Sequence, residues 1–502
     1  MIKPLPRVSP IYKGTVANLH DWLDAALPKF RESYLGQAWP NFLAGHHDVS
    51  GRAYETMCPF DRDLLVARLV SADKKAVKAA IFAAREAFPA WSAMAWKKRV
   101  QVIRRWAKVI DRRKYDLAMA ALYEVGKPRL EAIGEAEEAV DLVNRYCDEM
   151  ERNDGFVHKM KRSHPKEETL VAMRPVGVFA VITPFNYPVA LPCNMLAACL
   201  VAGNTAVFTP APETGLTGAL LTETAEAAGL PDGVLNMLNG EDAGALLADT
   251  PGVDGIAFTG SHAVGMRIIR KIASEPFVRP VIAEMGGKNT AYVTAKADLN
   301  VAAHGLINAA FGLQGQTCSA GTAAFAERPI VPALLTKLAE RAKALHIGSP
   351  EVLGTDLGPV IDQAAMDRYD RTVKAARAKG TIIYGGEKLR TGAWAKGYFI
   401  QPLIIADLPA DHWINREELL LPVLSIVTVD SLDEAIAHGN RSPYGQSAIF
   451  YSRDQKEIGV FLGRAEAGAL SVNRVSGGTI RGPGRSALAR YMREQSQTIV
   501  HS

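Results

Sequence analysis

At 502 residues the chain holds about three domains' worth of length. Its 48% hydrophobic and 22% charged residues mark a globular protein and exclude a disordered, collagen-like or coiled-coil chain. A net charge of +5 over that length makes no case for a nucleic-acid binder, which gathers its basic residues on one face.

The N-terminal MIKPLPRVSP has no apolar h-region, and no apolar run reaches the roughly eighteen residues of a membrane span. A cytoplasmic protein is expected. Residues 74–150 space their apolar positions at three and four, which predicts helices. Residues 154–174 are polar and alternating near their ends, which predicts a hairpin or extended arm. From Pro175 the texture changes. VGVFAVI (176–182), TAVFT (205–209), GVLNML (233–238), DGIAFTG (254–260) and PVIAEM (280–285) recur at βαβ intervals and predict a parallel sheet covered by helices. A second αβ series runs from Asn300 to Val472, and Ser496–Val500 reads as a terminal strand.

Five cysteines without CxxC spacing (Cys58, Cys147, Cys193, Cys199, Cys318) argue against a disulfide framework or a zinc site, and no metal is expected. Four have helix-like or core-like neighbours. Cys318 differs, because FGLQGQTCSAG is rich in glycine and small polar residues. A thiolate there could attack a carbonyl carbon, although a lone cysteine is more commonly a buried core residue. Glu284 ends a predicted strand just before Gly286-Gly287. It reads as a general base in a crevice or as an exposed strand terminus. Asn186, in ITPFNYP, also follows a strand, where its amide could donate to an oxyanion.

Taken together, these segments resemble the aldehyde dehydrogenase superfamily from near residue 74 to the terminal strand. TPFNYP is similar to its oxyanion-asparagine motif, FTGSHAVG to its cofactor glycine motif, EMGGKN to its general-base motif and GLQGQTC to its nucleophile motif, in the family's order and spacing. The resemblance implies an α/β fold with three parts. These are a Rossmann-like cofactor domain (1–153 and 175–283), an α/β catalytic domain (284–482) and a small β oligomerisation arm (154–174 and 483–502). A homodimer or homotetramer would follow. It implies NAD or NADP, with NAD slightly ahead, and oxidation of an aldehyde through a thiohemiacetal and thioester on Cys318. Asn186 would hold the oxyanion and Glu284 would activate the hydrolytic water. Ile182, Thr183, Pro184, Phe185, Thr209, Gly260, Ser261, Gly265, Met285, Gly286, Glu418 and Leu420 form the implied cofactor set.

Departures from the family gather at the cofactor. Thr209 stands where a lysine grips the adenine ribose, and the acidic partner falls at Pro212 or shifts to Glu213. In EELLLPV (417–423) Leu420 replaces an aromatic and Leu421 a glycine. Ser319 and the late loop VNRVSGGTIRG are similar to the glutamate-semialdehyde (1-pyrroline-5-carboxylate) dehydrogenase branch. There Ser319, Gly478 and Thr479 would bind a substrate carboxylate, with Tyr187 also in the substrate set. The same SGG also reads as a plain flexible turn. The stretch after this loop is shortened, which predicts a roomier pocket. A broad aliphatic or aromatic aldehyde dehydrogenase is the second reading. A nucleotide-independent thioesterase or structural homologue is the third.

Overall fold

A computed structural model describes residues 17–161, 164–475 and 487–501. The predicted helical region forms three long helices, Lys74–Ala93, Trp96–Val125 and Arg129–Arg152. Asp73 starts the first, its carboxylate accepting the N–H groups of Lys75 and Ala76 at 2.8 Å each. This satisfies donors that a helix start leaves unpaired. Gly126 ends the second at φ 74°, where a Cβ would lie 2.5 Å from Pro359. A helix at Ala17–Tyr34 and five strands between Gln37 and Ser71, the longest of them Asp61–Ser71, precede this region.

The βαβ series forms the predicted parallel sheet. Its spatial order is Val281–Met285, Gly255–Gly260, Val178–Ile182, Thr205–Thr209 and Leu235–Met237. Asn41–Leu43 and His46–Asp48 extend one edge in antiparallel fashion. Thr205–Thr209 is buried throughout, as a strand covered on both faces must be. The chain builds outward from Val178–Ile182 on one side, then returns to its other side with Gly255–Gly260. That reversal opens a crevice at the carboxyl ends of these two strands. Ile182, Thr183, Gly260 and Ser261 stand at its mouth.

The second sheet runs Thr381–Tyr384, Leu403–Ala406, Val423–Val429, Gly321–Glu327, Asn289–Val293, Ser447–Tyr451 and Ala469–Val472. All neighbours are parallel except the first pair. The chain passes directly from the last strand of the first sheet into Asn289–Val293 of the second, so Glu284 and Asn289 sit on either side of the junction.

The predicted hairpin and terminal strand meet in a third, antiparallel sheet of Val157–Lys159, Glu167–Pro175 and Met492–Val500. The strand begins at Met492, four residues before its expected start at Ser496. The turn ahead of it is pinned to the first sheet. Glu149 accepts the Leu488 N–H at 3.0 Å, and the buried Asn204 amide donates to the Tyr491 carbonyl at 2.9 Å. Among the described residues no helix is long and apolar enough to cross a membrane.

Candidate active site

Asn289 is 2% exposed and joins two strands to one loop. Its Nδ2 donates to the carbonyls of Cys318 at 2.7 Å and Ala320 at 3.2 Å. Its Oδ1 accepts both the N–H and the hydroxyl of Ser447 at 2.9 Å. One amide thus fixes the nucleophile loop against the Ser447–Tyr451 strand. Gly287 allows the close approach, since a Cβ there would lie 2.2 Å from the Cys318 carbonyl oxygen.

The loop itself is strained. Leu313 and Gln314 both take left-handed backbone, at φ 47° and 56°. Such residues persist only where their surroundings hold them. Here Glu131 accepts the Leu313 N–H with both carboxylate oxygens at 3.1 Å, and the Gln316 side chain accepts the Ile361 N–H at 2.9 Å.

Cys318 emerges half-buried from this loop, while the other four cysteines are fully buried, and all five are free thiols. Burial pushes its thiol up, and the Glu418 and Glu284 carboxylates add to that. A hydrogen bond from Gln446 Nε2 to Sγ, at 3.3 Å, works in the other direction.

Asn186 is 6% exposed and lies against the same loop. Its Nδ2 donates to the Gln316 carbonyl at 2.7 Å, which fixes which way the amide faces. One N–H of that group remains for a ligand beside Cys318. Glu284 stands apart. Its side chain is 51% exposed, and Oε1 takes Arg490 Nη1 at 3.0 Å. The pinned turn Leu488–Tyr491 carries that arginine in. Glu284 is near enough for its charge to act on Cys318, but it is not hydrogen-bonded to it.

Several of the residues expected at a cofactor stand at the ends of the strands that border the switch-point crevice. Thr183 and Thr209 end adjacent strands, and their buried hydroxyls have no partner among the described residues. Ser261 caps the helix His262–Ala273, accepting from Val264 N at 3.4 Å. That first turn carries no acidic residue, which leaves an open anion site at its N-terminus. At Gly265 a Cβ would lie 2.6 Å from Met285 Sδ, and at Gly260 one would meet the Phe258 ring, so both stay bare for close approach. Glu418 reaches the same junction. It accepts the Gly287 N–H at 3.0 Å, with its carboxylate lying where a Gly286 side chain would be. Leu420 follows at φ 51°. Phe185 packs against the core around Ile361 and Leu421, and so joins the crevice to the second sheet. Unsatisfied hydroxyls, a free helix N-terminus and bare glycines are what a dinucleotide needs.

On the substrate side, Ser319 is half-buried, and its hydroxyl reaches Thr317 Oγ1 only at 3.5 Å. The Tyr187 ring lies 4.0 Å from Lys127 Nζ, and burial pushes its phenol well up. Gly478 and Thr479 lie outside the described residues. The structure adds four residues that the motifs did not assign: Gln446, Asn289, Glu131 and Arg490. Asn289 ends EMGGKN, so its motif was visible but its role was not. The other three have no sequence signal, because they act across 128 to 206 residues of chain.

Comparison with known proteins agrees with this geometry. The model of the aldehyde dehydrogenase family matches residues 46–485. The 1-pyrroline-5-carboxylate dehydrogenase of Bacillus thuringiensis (strain Al Hakam) is 35% identical over 458 residues, covering 90% of this chain and 88% of that one. A solved 1-pyrroline-5-carboxylate dehydrogenase from Thermus with bound NAD superposes with a TM-score of 0.92 at 27% identity over the full length of both chains. Proline utilization A from Bdellovibrio bacteriovorus superposes with a TM-score of 0.91 at 28% identity, over 97% of this chain and 52% of that protein. The chain therefore spans about half of that larger relative.

Two outcomes follow from the site's bonding. Asn289→Ala strands buried partners on both the loop and the strand, each unmade bond costing about 1–3 kcal/mol. Chemical denaturation is expected to show a loss of about 2–4 kcal/mol, with kcat at least tenfold lower. For Cys318, burial disfavours the thiolate, so its proton leaves at a higher pH than that of a free thiol. Alkylation of the Cys318 peptide by iodoacetamide is expected to rise with pH to a midpoint above the ordinary 9.0.

Proposed function

The chain belongs to the aldehyde dehydrogenase family, and from that premise we propose that it oxidises a carboxylated semialdehyde, glutamate semialdehyde first, to the carboxylate with NAD(P). The observation that carries the reading is the single loop that presents Cys318 Sγ while its Gln316 carbonyl orients the Asn186 amide.

Cys318 Sγ attacks the carbonyl carbon, forming a C–S bond and an oxyanion. The free N–H of Asn186 and the backbone N–H of Cys318 donate to that oxygen as its charge develops. Preorganised donors of this kind are worth about 3–4 kcal/mol each in acyl-transfer sites. Bound NAD(P) supplies the hydride acceptor. Glu284 then takes a proton from the water that cleaves the acyl–sulfur bond. Arg490 binds only Oε1 of Glu284, which leaves Oε2 for that water. Cys318 leaves as thiolate, ready for another turn.

The semialdehyde is favoured for two reasons. Ser319 stands beside the nucleophile with its hydroxyl almost free, which suits a donor to a substrate carboxylate; that of glutamate semialdehyde lies four bonds from the reacting carbon. The relative at 35% identity is a 1-pyrroline-5-carboxylate dehydrogenase. Self-association is part of the same reading. Val157, Met160, Ile499 and Val500 expose apolar side chains on or beside the third sheet, and an edge strand of that kind suits a second copy. The five free thiols fit a reducing cytoplasm. In the same reading residues 1–153 and 175–283 form the cofactor domain, 284–482 the catalytic domain, and 154–174 with 483–502 the arm; the strand Val281–Met285 runs across the boundary at 283.

Reduced nucleotide is expected from glutamate semialdehyde with kcat/KM at least about tenfold above that for benzaldehyde, as one well-made polar contact allows. Equal values would move the enzyme to the broad-specificity class. Full aldehyde oxidation by Cys318→Ala would refute the covalent route altogether.

A further inference from the structure

Cys318 has to act as a thiolate, yet its surroundings oppose one. Desolvation of this half-buried thiol disfavours its charged form, and the charged groups that act on it, Glu418 and Glu284, are both carboxylates. The Tyr187 phenol nearby is also held neutral by burial. One side chain points the other way. Gln446 Nε2 donates to Cys318 Sγ at 3.3 Å.

This contact is built rather than incidental. Gln446 stands immediately before the Ser447–Tyr451 strand. Its backbone carbonyl accepts the Ala469 N–H at 3.0 Å. The next residue, Ser447, is held by Asn289, and the same Asn289 amide holds the Cys318 carbonyl. Donor and sulfur are therefore registered to each other through one buried side chain. Groups held this way keep the sub-ångström alignment that catalysis needs. The other end of the amide does not compete, because Gln446 Oε1 is buried and has no partner among the described residues. Burying that oxygen unpaired carries a cost.

We propose that Gln446 is a catalytic residue of this enzyme, its amide N–H stabilising the Cys318 thiolate both before attack on the aldehyde and when the thioester is cleaved. A neutral donor suits both moments. It favours S⁻ over SH, yet leaves no fixed positive charge to hold the thiolate back from bonding to carbon. The inference rests on Cys318 being the nucleophile, and the test separates the two claims.

Gln446→Met keeps the length and removes the donor. Gln446→Glu keeps size and polarity and places a carboxylate at the sulfur. Iodoacetamide alkylation of the Cys318 peptide, followed by mass across pH without aldehyde, reads the thiol directly. A hydrogen bond to a charged group is worth about one pH unit or a little more. The midpoint is expected to rise by about one unit in Gln446→Met and by more in Gln446→Glu. In Gln446→Met, kcat/KM is expected to fall about tenfold at neutral pH, and that deficit should shrink as pH approaches the new midpoint. A purely structural role would lower activity equally at every pH and leave the midpoint unmoved. An unmoved midpoint in either folded variant, with Cys318→Ala inactive, overturns the role of Gln446 alone. An active Cys318→Ala overturns the nucleophile assignment beneath it.

Discussion

One buried amide governs the chemistry of this protein. Asn289 satisfies two carbonyls of the nucleophile loop with its nitrogen and two donors of a neighbouring strand with its oxygen. A residue with four such bonds has no alternative conformation of similar energy. It therefore converts the regular register of a parallel sheet into a fixed place for Cys318. The strained turn at Leu313 and Gln314 is tolerated because its other side is tied as firmly, through Glu131 and Gln316. Strain on one side and a clamp on the other hold the Cys318 loop in place.

The two sheets divide the labour. The first ends in a switch-point crevice with unsatisfied hydroxyls and an open helix N-terminus, which are features of a ligand site rather than of a core. The second carries Cys318, the Asn289 clamp on its loop and the Gln446 amide that donates to its sulfur. The direct passage of the chain from Glu284 to Asn289 brings cofactor crevice and thiol side by side. The terminal segment closes the arrangement. Glu149 and Asn204 hold it down, and Arg490 reaches the carboxylate that would serve as base. An exposed ion pair of this kind is worth about 1 kcal/mol or less, so it orients Glu284 without immobilising it.

Much of this was legible in the sequence for a physical reason. Buried parallel strands must be apolar along their whole length, so VFAVI and TAVFT announce themselves. Close backbone approach demands glycine, so GSHAVG, EMGGKN and GLQGQTC stand out. What could not be read were partners set by tertiary register. Nothing in SPYGQSAIF marks Gln446 as the neighbour of a cysteine 128 residues earlier. Glu284 reads from sequence either as a general base in a crevice or as an exposed strand terminus, and its link to Arg490 depends on a turn that the packing of Leu488 and Tyr491 positions.

The most direct test of the account is to trap the covalent intermediate. The enzyme would be mixed with NAD and glutamate semialdehyde, quenched in acid within a turnover, and digested for mass analysis. An acyl adduct on the peptide containing Cys318, absent when nucleotide is omitted, is the predicted result. Turnover without an adduct on that peptide, or with the adduct on another cysteine, would contradict it.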